Sequence, residues 1–176
     1  AGRRLMIGWS GCPDATAKSP TVARGWQCAL TVPRELSMRD GKLCQQPAHE
    51  IERMRGDCVR ATGGETVEEP GRLFDLVVSC EGAKMVELEI RKGVFVCYAD
   101  GMLTLDMGDE GYGRDQRSIE LSELRDLRVL SDTTMVEIFA NGGEAALTSR
   151  TYSPAVPAME LHAEGAASMN FYRLVH

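Results

Sequence analysis

The chain has 176 residues, 43% hydrophobic and 26% charged, a balance that supports a packed core and excludes global disorder. Its formal net charge is −6, and since binding a phosphate backbone needs a basic footprint, a nucleic-acid partner is not expected. No apolar run approaches the roughly 18 residues of a membrane-spanning helix, so no membrane partner is expected either.

Arg3 to Trp9 is a short apolar run that reads as a strand, and Gly11, Pro13 and Asp14 mark a turn after it. Residues 10–25 are loop-like. Trp26 to Val32 reads as a second strand, closed by Pro33. Leu36-Ser37-Met38 and Leu43-Cys44-Gln45 flank Asp40-Gly41, a strong hairpin signal, because both central residues of a type I′ turn need positive φ. Pro47 then opens the one helical segment, Ala48 to Arg55, in which Ala48, Ile51 and Met54 share a face and which Gly56 ends.

From residue 57 the hydrophobic period changes from about 3.6 to about 2. Phe74, Leu76, Val78 and Cys80 alternate with Asp75, Val77 and Ser79. Val86, Leu88 and Ile90 alternate with Glu87, Glu89 and Arg91, the pattern of a half-buried strand. Val94, Val96 and Tyr98 lead into Asp100-Gly101, a second hairpin turn, with Leu103, Leu105 and Met107 beyond it. Gly108 to Gly113 is the most loop-like stretch of the second half. Further strands are predicted at 127–131, 135–140, 145–151, 158–163 and 168–175, with Asn141-Gly142-Gly143 as a third turn. Strands recurring every 8–12 residues or so between single glycines predict an all-β fold, an antiparallel two-sheet β-sandwich of jelly-roll or lectin-like type. A boundary is expected around residues 32–56, with the short helix as bridge.

The six cysteines, Cys12, Cys28, Cys44, Cys58, Cys80 and Cys97, include no C-x-x-C pair. Their even number would permit three disulfides. Cys28, Cys80 and Cys97, however, sit in apolar runs, where Cys acts as a small hydrophobe, so reduced thiols in a reducing compartment are expected. The chain starts at Ala1 without an initiator Met or signal peptide, and is expected to begin inside a longer protein.

No catalytic constellation emerges from the pattern. His49, His162 and His176 neighbour no Gly-x-Ser-x-Gly elbow and read as solvent-facing. No metal-ligand spacing and no phosphate-cradling loop is present, so neither metal nor cofactor is expected. Glu87, Glu89, Asp106, Glu120 and Glu137 occupy strand positions that alternation assigns to an outer, solvated face. Trp9 and Trp26 are the two large aromatic exceptions. Each reads as a packing plug or, next to glycines in a loop-rich region, as a platform for the C–H face of a sugar.

Particular strings are more specific. Gly2-Arg3-Arg4-Leu5-Met6-Ile7-Gly8-Trp9, Gly25-Trp26-Gln27-Cys28-Ala29-Leu30-Thr31-Val32-Pro33-Arg34-Glu35-Leu36, Asp40-Gly41-Lys42-Leu43 and Gln46-Pro47-Ala48-His49-Glu50-Ile51 come in this order. With Leu130-Ser131-Asp132 through Asn141-Gly142-Gly143-Glu144 and Leu147-Thr148-Ser149-Arg150-Thr151-Tyr152, they resemble glycoside hydrolase family 32, the β-fructofuranosidases, and are most similar to its bacterial sucrose-6-phosphate hydrolase branch. The resemblance implies a five-bladed β-propeller carrying the active site, followed by a C-terminal β-sandwich. It implies a retaining mechanism with an aspartate nucleophile in Trp-x-Asn-Asp-Pro, an Arg-Asp-Pro stabiliser and a Glu-Cys acid/base. None of these is here: no Asp-Pro occurs, Arg-Asp at Arg39-Asp40, Arg114-Asp115 and Arg125-Asp126 lacks the proline, and Cys80-Glu81 is reversed.

The resemblance therefore implies residues 1–32 as a remnant of the last propeller blade, 33–56 as hairpin and linker helix, and 57–176 as the sandwich. The chain alone is expected to be inactive, with no catalytic residue. The implied partners are its own catalytic propeller and, through it, sucrose or sucrose 6-phosphate, in the cytoplasm. Trp9 matches a tryptophan beside the family's sugar pocket, so it is a substrate-binding residue only in the intact parent. Glu137 and Arg150 match structural sandwich positions, where a cross-strand Arg–Glu pair would contribute about 0.2–1 kcal/mol. Residues 1–32 are expected to expose apolar surface that the propeller covers, which would favour a homodimer in its absence. The alternative is a stand-alone lectin-like module using Tyr98, Tyr112, Tyr152 and Tyr172 as an aromatic row.

Overall fold

The computed structural model describes residues 2–11 and 19–175. Cys12, the turn expected at Pro13-Asp14, and His176 lie outside the described residues. Strands β1 (Arg4–Met6) and β2 (Trp9–Ser10) open the chain; a 3₁₀ turn at Pro20–Arg24 and β3 (Ala29–Leu30) follow. Next comes the hairpin of β4 (Arg34–Arg39) and β5 (Lys42–Pro47), turning through Asp40 at φ 51° and Gly41 at φ 77°, both positive as expected. After a short helix come β6 (Arg55–Thr62), β7 (Thr66–Glu68), β8 (Phe74–Ser79), β9 (Met85–Arg91), β10 (Val94–Ala99) and β11 (Met102–Asp106). A 3₁₀ turn at Gly108–Gly111 leads to β12 (Gln116–Glu120), β13 (Asp126–Ser131), β14 (Met135–Ala140), β15 (Ala145–Arg150), β16 (Ala158–Glu160), β17 (His162–Glu164) and β18 (Ser168–Leu174).

Two antiparallel sheets make the sandwich. One has the order β12-β11-β10-β9-β17, the other β15-β14-β13-β8-β18-β6. Their inner faces carry the residues that alternation selects: Phe74, Leu76 and Val78 of β8, Val86, Leu88 and Ile90 of β9, Val94 and Val96 of β10, and Leu103 and Leu105 of β11 are each at most 1% exposed. Val136, Ile138, Met169 and Phe171 close the core from the six-stranded sheet. Asp100 and Gly101 turn β10 into β11 with φ of 50° and 74°.

The N-terminal segment forms a separate small sheet, β1-β4-β5, and a two-residue ladder, β2-β3. This sheet is seated on the β14–β15 end of the sandwich. Gln45 N–H donates to Gly143 O at 2.9 Å, Gln46 Nε2 donates to Gly142 O at 2.6 Å, and Arg39 donates to Asn141 O.

Several expectations need correction. The strand expected over Trp26–Val32 shrinks to Ala29–Leu30, because Cys28 takes φ 70° and its partner β2 is two residues long. The helix is a 3₁₀ helix over His49–Met54, and Gly56 does not end it. Arg55 is already extended and begins the β6 ladder, with Leu174 opposite it. Strand β12 had no apolar signal. Its sequence Gln-Arg-Ser-Ile-Glu is polar because it lies at a sheet edge, paired only with β11.

Candidate functional site

Trp9 is held by its neighbours rather than by the core. It pairs with Leu30, and next to it Gly8 and Thr31 exchange hydrogen bonds: Thr31 N–H donates to Gly8 O at 2.8 Å, and Gly8 N–H to Thr31 Oγ1 at 2.8 Å. The indole lies over Gly11, where a Cβ would sit 2.6 Å from the ring and 2.5 Å from Cys28 Sγ, so a residue without a side chain is required there. Trp9 remains 60% exposed. The indole edges a groove of about 260 Å³ lined also by Thr31, Arg34, Arg114, Arg117, Thr148 and Arg150. Trp26 is instead held at one face by Arg150, whose guanidinium lies 5.6 Å from the ring centroid.

Glu137 departs most from expectation. Its alternation within β14 does turn it away from the sandwich core, but that face is covered by the β4–β5 hairpin, not by solvent. Glu137 is 2% exposed. It accepts hydrogen bonds from Val32 N–H at 2.7 Å and from Arg34 Nε and Nη2 at 3.2 and 2.5 Å. Arg34 also donates to Gln45 Oε1 at 2.8 Å and Thr148 Oγ1 at 2.5 Å, and lies 5.0 Å from the Phe139 ring centroid. Burial pushes the Glu137 carboxyl above the usual carboxylate range, against the opposing pull of the Val32 N–H and Arg34. The expected cross-strand Arg150–Glu137 pair does not form. Thr148 stands opposite Glu137, and Met135 opposite Arg150.

The other candidates disperse. Glu87 and Glu120 are exposed, while Glu89 and Asp106 are half-buried. Glu89 accepts from Gly93 N–H at 2.9 Å and Asp106 from Gly108 N–H at 3.1 Å. His49 and His162 are exposed beside Glu50 and Glu160. Tyr98 is interior, donating to Leu121 O at 3.1 Å, so the four tyrosines line no single surface. Tyr112 and Tyr152 meet edge-on at 5.6 Å, and Tyr172 lies under Arg55. Cys28, Cys44, Cys58, Cys80 and Cys97 are free thiols. Burial holds the Cys80 thiol up to about 12.

Sequence reasoning missed two buried charge centres. Asp75, fully buried on the outer face of β8, accepts from Arg55 Nε at 2.7 Å and from Arg128 Nε and Nη2 at 3.0 and 2.7 Å. Arg91, also fully buried, donates to Ser131 Oγ at 2.8 Å and to the carbonyls of Arg72, Ser153 and Asp132. Burial lowers its pKa to about 10. The first ties strands β6, β8 and β13 together on the outer face of their sheet, and the second braces loops against the sandwich. Among the described residues no cluster of three or more metal-ligating side chains occurs.

Comparison with known proteins places these features. Residues 1–47 match the model of the glycosyl hydrolases family 32 N-terminal domain, and residues 99–174 that of the glycosyl hydrolases family 32 C terminal. The chain is 34% identical over 172 residues to raffinose invertase of Escherichia coli, and 33% identical over 164 residues to sucrose-6-phosphate hydrolase of Salmonella typhimurium. Each alignment covers 88% of this chain but only 35% and 32% of the relative, so the chain spans about a third of their length. Among solved structures, sucrose-6-phosphate hydrolase from Lactobacillus gasseri superposes with a TM-score of 0.82 at 21% identity, covering 98% of this chain and 39% of that one. A Bombyx mori GH32 β-fructofuranosidase gives 0.79 at 20% identity, covering 99% and 39%. These likenesses in shape establish the fold.

Proposed function

We propose, since this chain belongs to glycoside hydrolase family 32, that it serves as the sandwich end of a fructoside hydrolase whose reacting carboxylates lie on a catalytic propeller. The whole enzyme would cleave the fructosyl bond of sucrose or sucrose 6-phosphate, through a covalent fructosyl-enzyme that water then releases. Residues 1–32 would complete the last blade, 33–56 join the two bodies, and 57–176 form the sandwich. Free thiols fit work in the cytoplasm.

One observation carries this reading. The sandwich core is closed, yet Leu5, Ile7, Trp9, Leu30, Met38 and Leu43 of the N-terminal segment are between 53% and 68% exposed. Met38 and Leu43 stand opposite each other across β4 and β5, and Trp9 and Leu30 across β2 and β3, and exposed apolar side chains grouped in this way mark an interaction surface. A catalytic body attached through β1–β5 is the occupant this chain's family supplies. With it in place, Trp9 would present its indole to the sugar; without it, Trp9 is one wall of an open groove.

The Asp-Pro, Arg-Asp-Pro and Glu-Cys strings are absent from the sequence. The 176-residue chain incubated with sucrose and sucrose 6-phosphate should release no fructose above the buffer rate. Enzyme-like turnover would defeat the proposal.

A further inference from the structure

We infer that the groove beside Trp9 is an oxyanion site that receives the phosphoryl group of a phosphorylated sugar. The groove lies where the edge strand β15 of one sheet meets both β12, the edge of the other, and β2. Four arginines line it, Arg34, Arg114, Arg117 and Arg150, and among the described residues no carboxylate does. Arg34 is neutralised by Glu137, so the positive charge counted for the groove is that of Arg117 and Arg150.

Arg150 is the central observation. It is 3% exposed and donates through Nε to Thr134 O at 2.9 Å, yet among the described residues its Nη1 and Nη2 have no hydrogen-bond partner. Ser149 Oγ is likewise buried and unpartnered. The Trp26 and Tyr152 rings, 5.6 and 5.5 Å from the guanidinium carbon, offset only part of the cost of burying that charge. Unmade bonds on a buried guanidinium are expensive, and a dianion with three acceptor oxygens satisfies them in the forked geometry that arginine favours. Exposed Arg117 stands at the mouth as a second donor, and Trp9 offers an apolar ring to an attached sugar.

The choice of a sugar ester over bare phosphate rests on the fructosidase reading; the oxyanion assignment does not. The test is calorimetric titration of the 176-residue chain, at low ionic strength, with sucrose 6-phosphate, inorganic phosphate and sucrose. Sucrose 6-phosphate should bind most tightly, inorganic phosphate several-fold more weakly, and sucrose without measurable heat. Arg150→Met should weaken sucrose 6-phosphate binding at least tenfold. Arg117→Gln, at an exposed position that does not threaten folding, should weaken it several-fold. Equal binding of sucrose and sucrose 6-phosphate, or affinity unchanged in Arg117→Gln and in folded Arg150→Met, overturns the site. Inorganic phosphate binding as tightly as the ester overturns the sugar assignment. The titration and the fructose-release assay fail independently, because one reads phosphoryl preference and the other bond cleavage.

Discussion

At the residue scale, Glu137 shows what alternation can and cannot determine. The order Val136-Glu137-Ile138 states which way the carboxylate points, and the structure agrees. What covers that face is decided by Arg34, 103 residues earlier in the chain, and no local pattern carries that information. A buried pair of this kind is costly to break, since the survivor keeps its charge without its partner. Arg34→Met should therefore lower stability by about 3–5 kcal/mol in chemical denaturation, whereas removing an exposed charge such as Lys84 should change it by no more than about 0.5 kcal/mol. The same reasoning explains why Asp75 and Arg91 were illegible. Each reads as one polar position in an alternating strand, and only partners distant in the chain reveal the cage.

At the element scale, the turns were the most legible features. Asp40-Gly41 and Asp100-Gly101 each reverse the chain with paired positive φ, because this requirement is local. The strands they join followed from period alone. Strand β12 was not legible, because an edge needs no apolar face; the helix was legible in its place but not in its end, because β6 claims Arg55 for a ladder with β18. The third turn adds a long-range condition. At Gly143 φ is 86°, and a Cβ would fall 2.0 Å from Gln45 O, whereas at Gly41 φ is 77° with nothing within 4 Å. Gly41→Ala should cost only the left-handed backbone penalty, about 1–2 kcal/mol. Gly143→Ala should cost more and unseat the β4–β5 hairpin, which amide exchange of Gln45 would detect as lost protection. Equal effects of the two substitutions would contradict this seating.

At the scale of the whole molecule, the all-β fold class was legible in the period-2 alternation, and exposed apolar residues were expected in the N-terminal segment, where Leu5, Ile7, Trp9 and Leu30 are exposed. The expected covering for that surface, when no propeller is joined to it, is a second copy. Sedimentation of the chain should show a concentration-dependent dimer that Leu30→Glu with Met38→Glu abolishes. A monomer at every concentration would argue against an uncovered interface. Acid should also act at this end. Arg3 holds the Glu50 carboxyl down to about 2, from an ordinary value of 4.5. A depressed carboxylate stabilises the fold above its unfolded pKa and loses that contribution as pH falls through its folded one. Between about pH 4.5 and 2 the tie from Arg3 to Glu50 should release, and exchange at residues 3–6 should rise there in wild type but lie flat and high in Glu50→Gln.

The hairpin that carries Arg34 is socketed on the sandwich through the 141–143 turn, Glu137 and Thr148 together. Whatever body continues from β1 and β4 is thus mounted on a bracket and not a leash, its bearing fixed by contacts on β14 and β15. Grafting a different sandwich behind the same strands would fail unless the new one brought a matching socket for that single arginine.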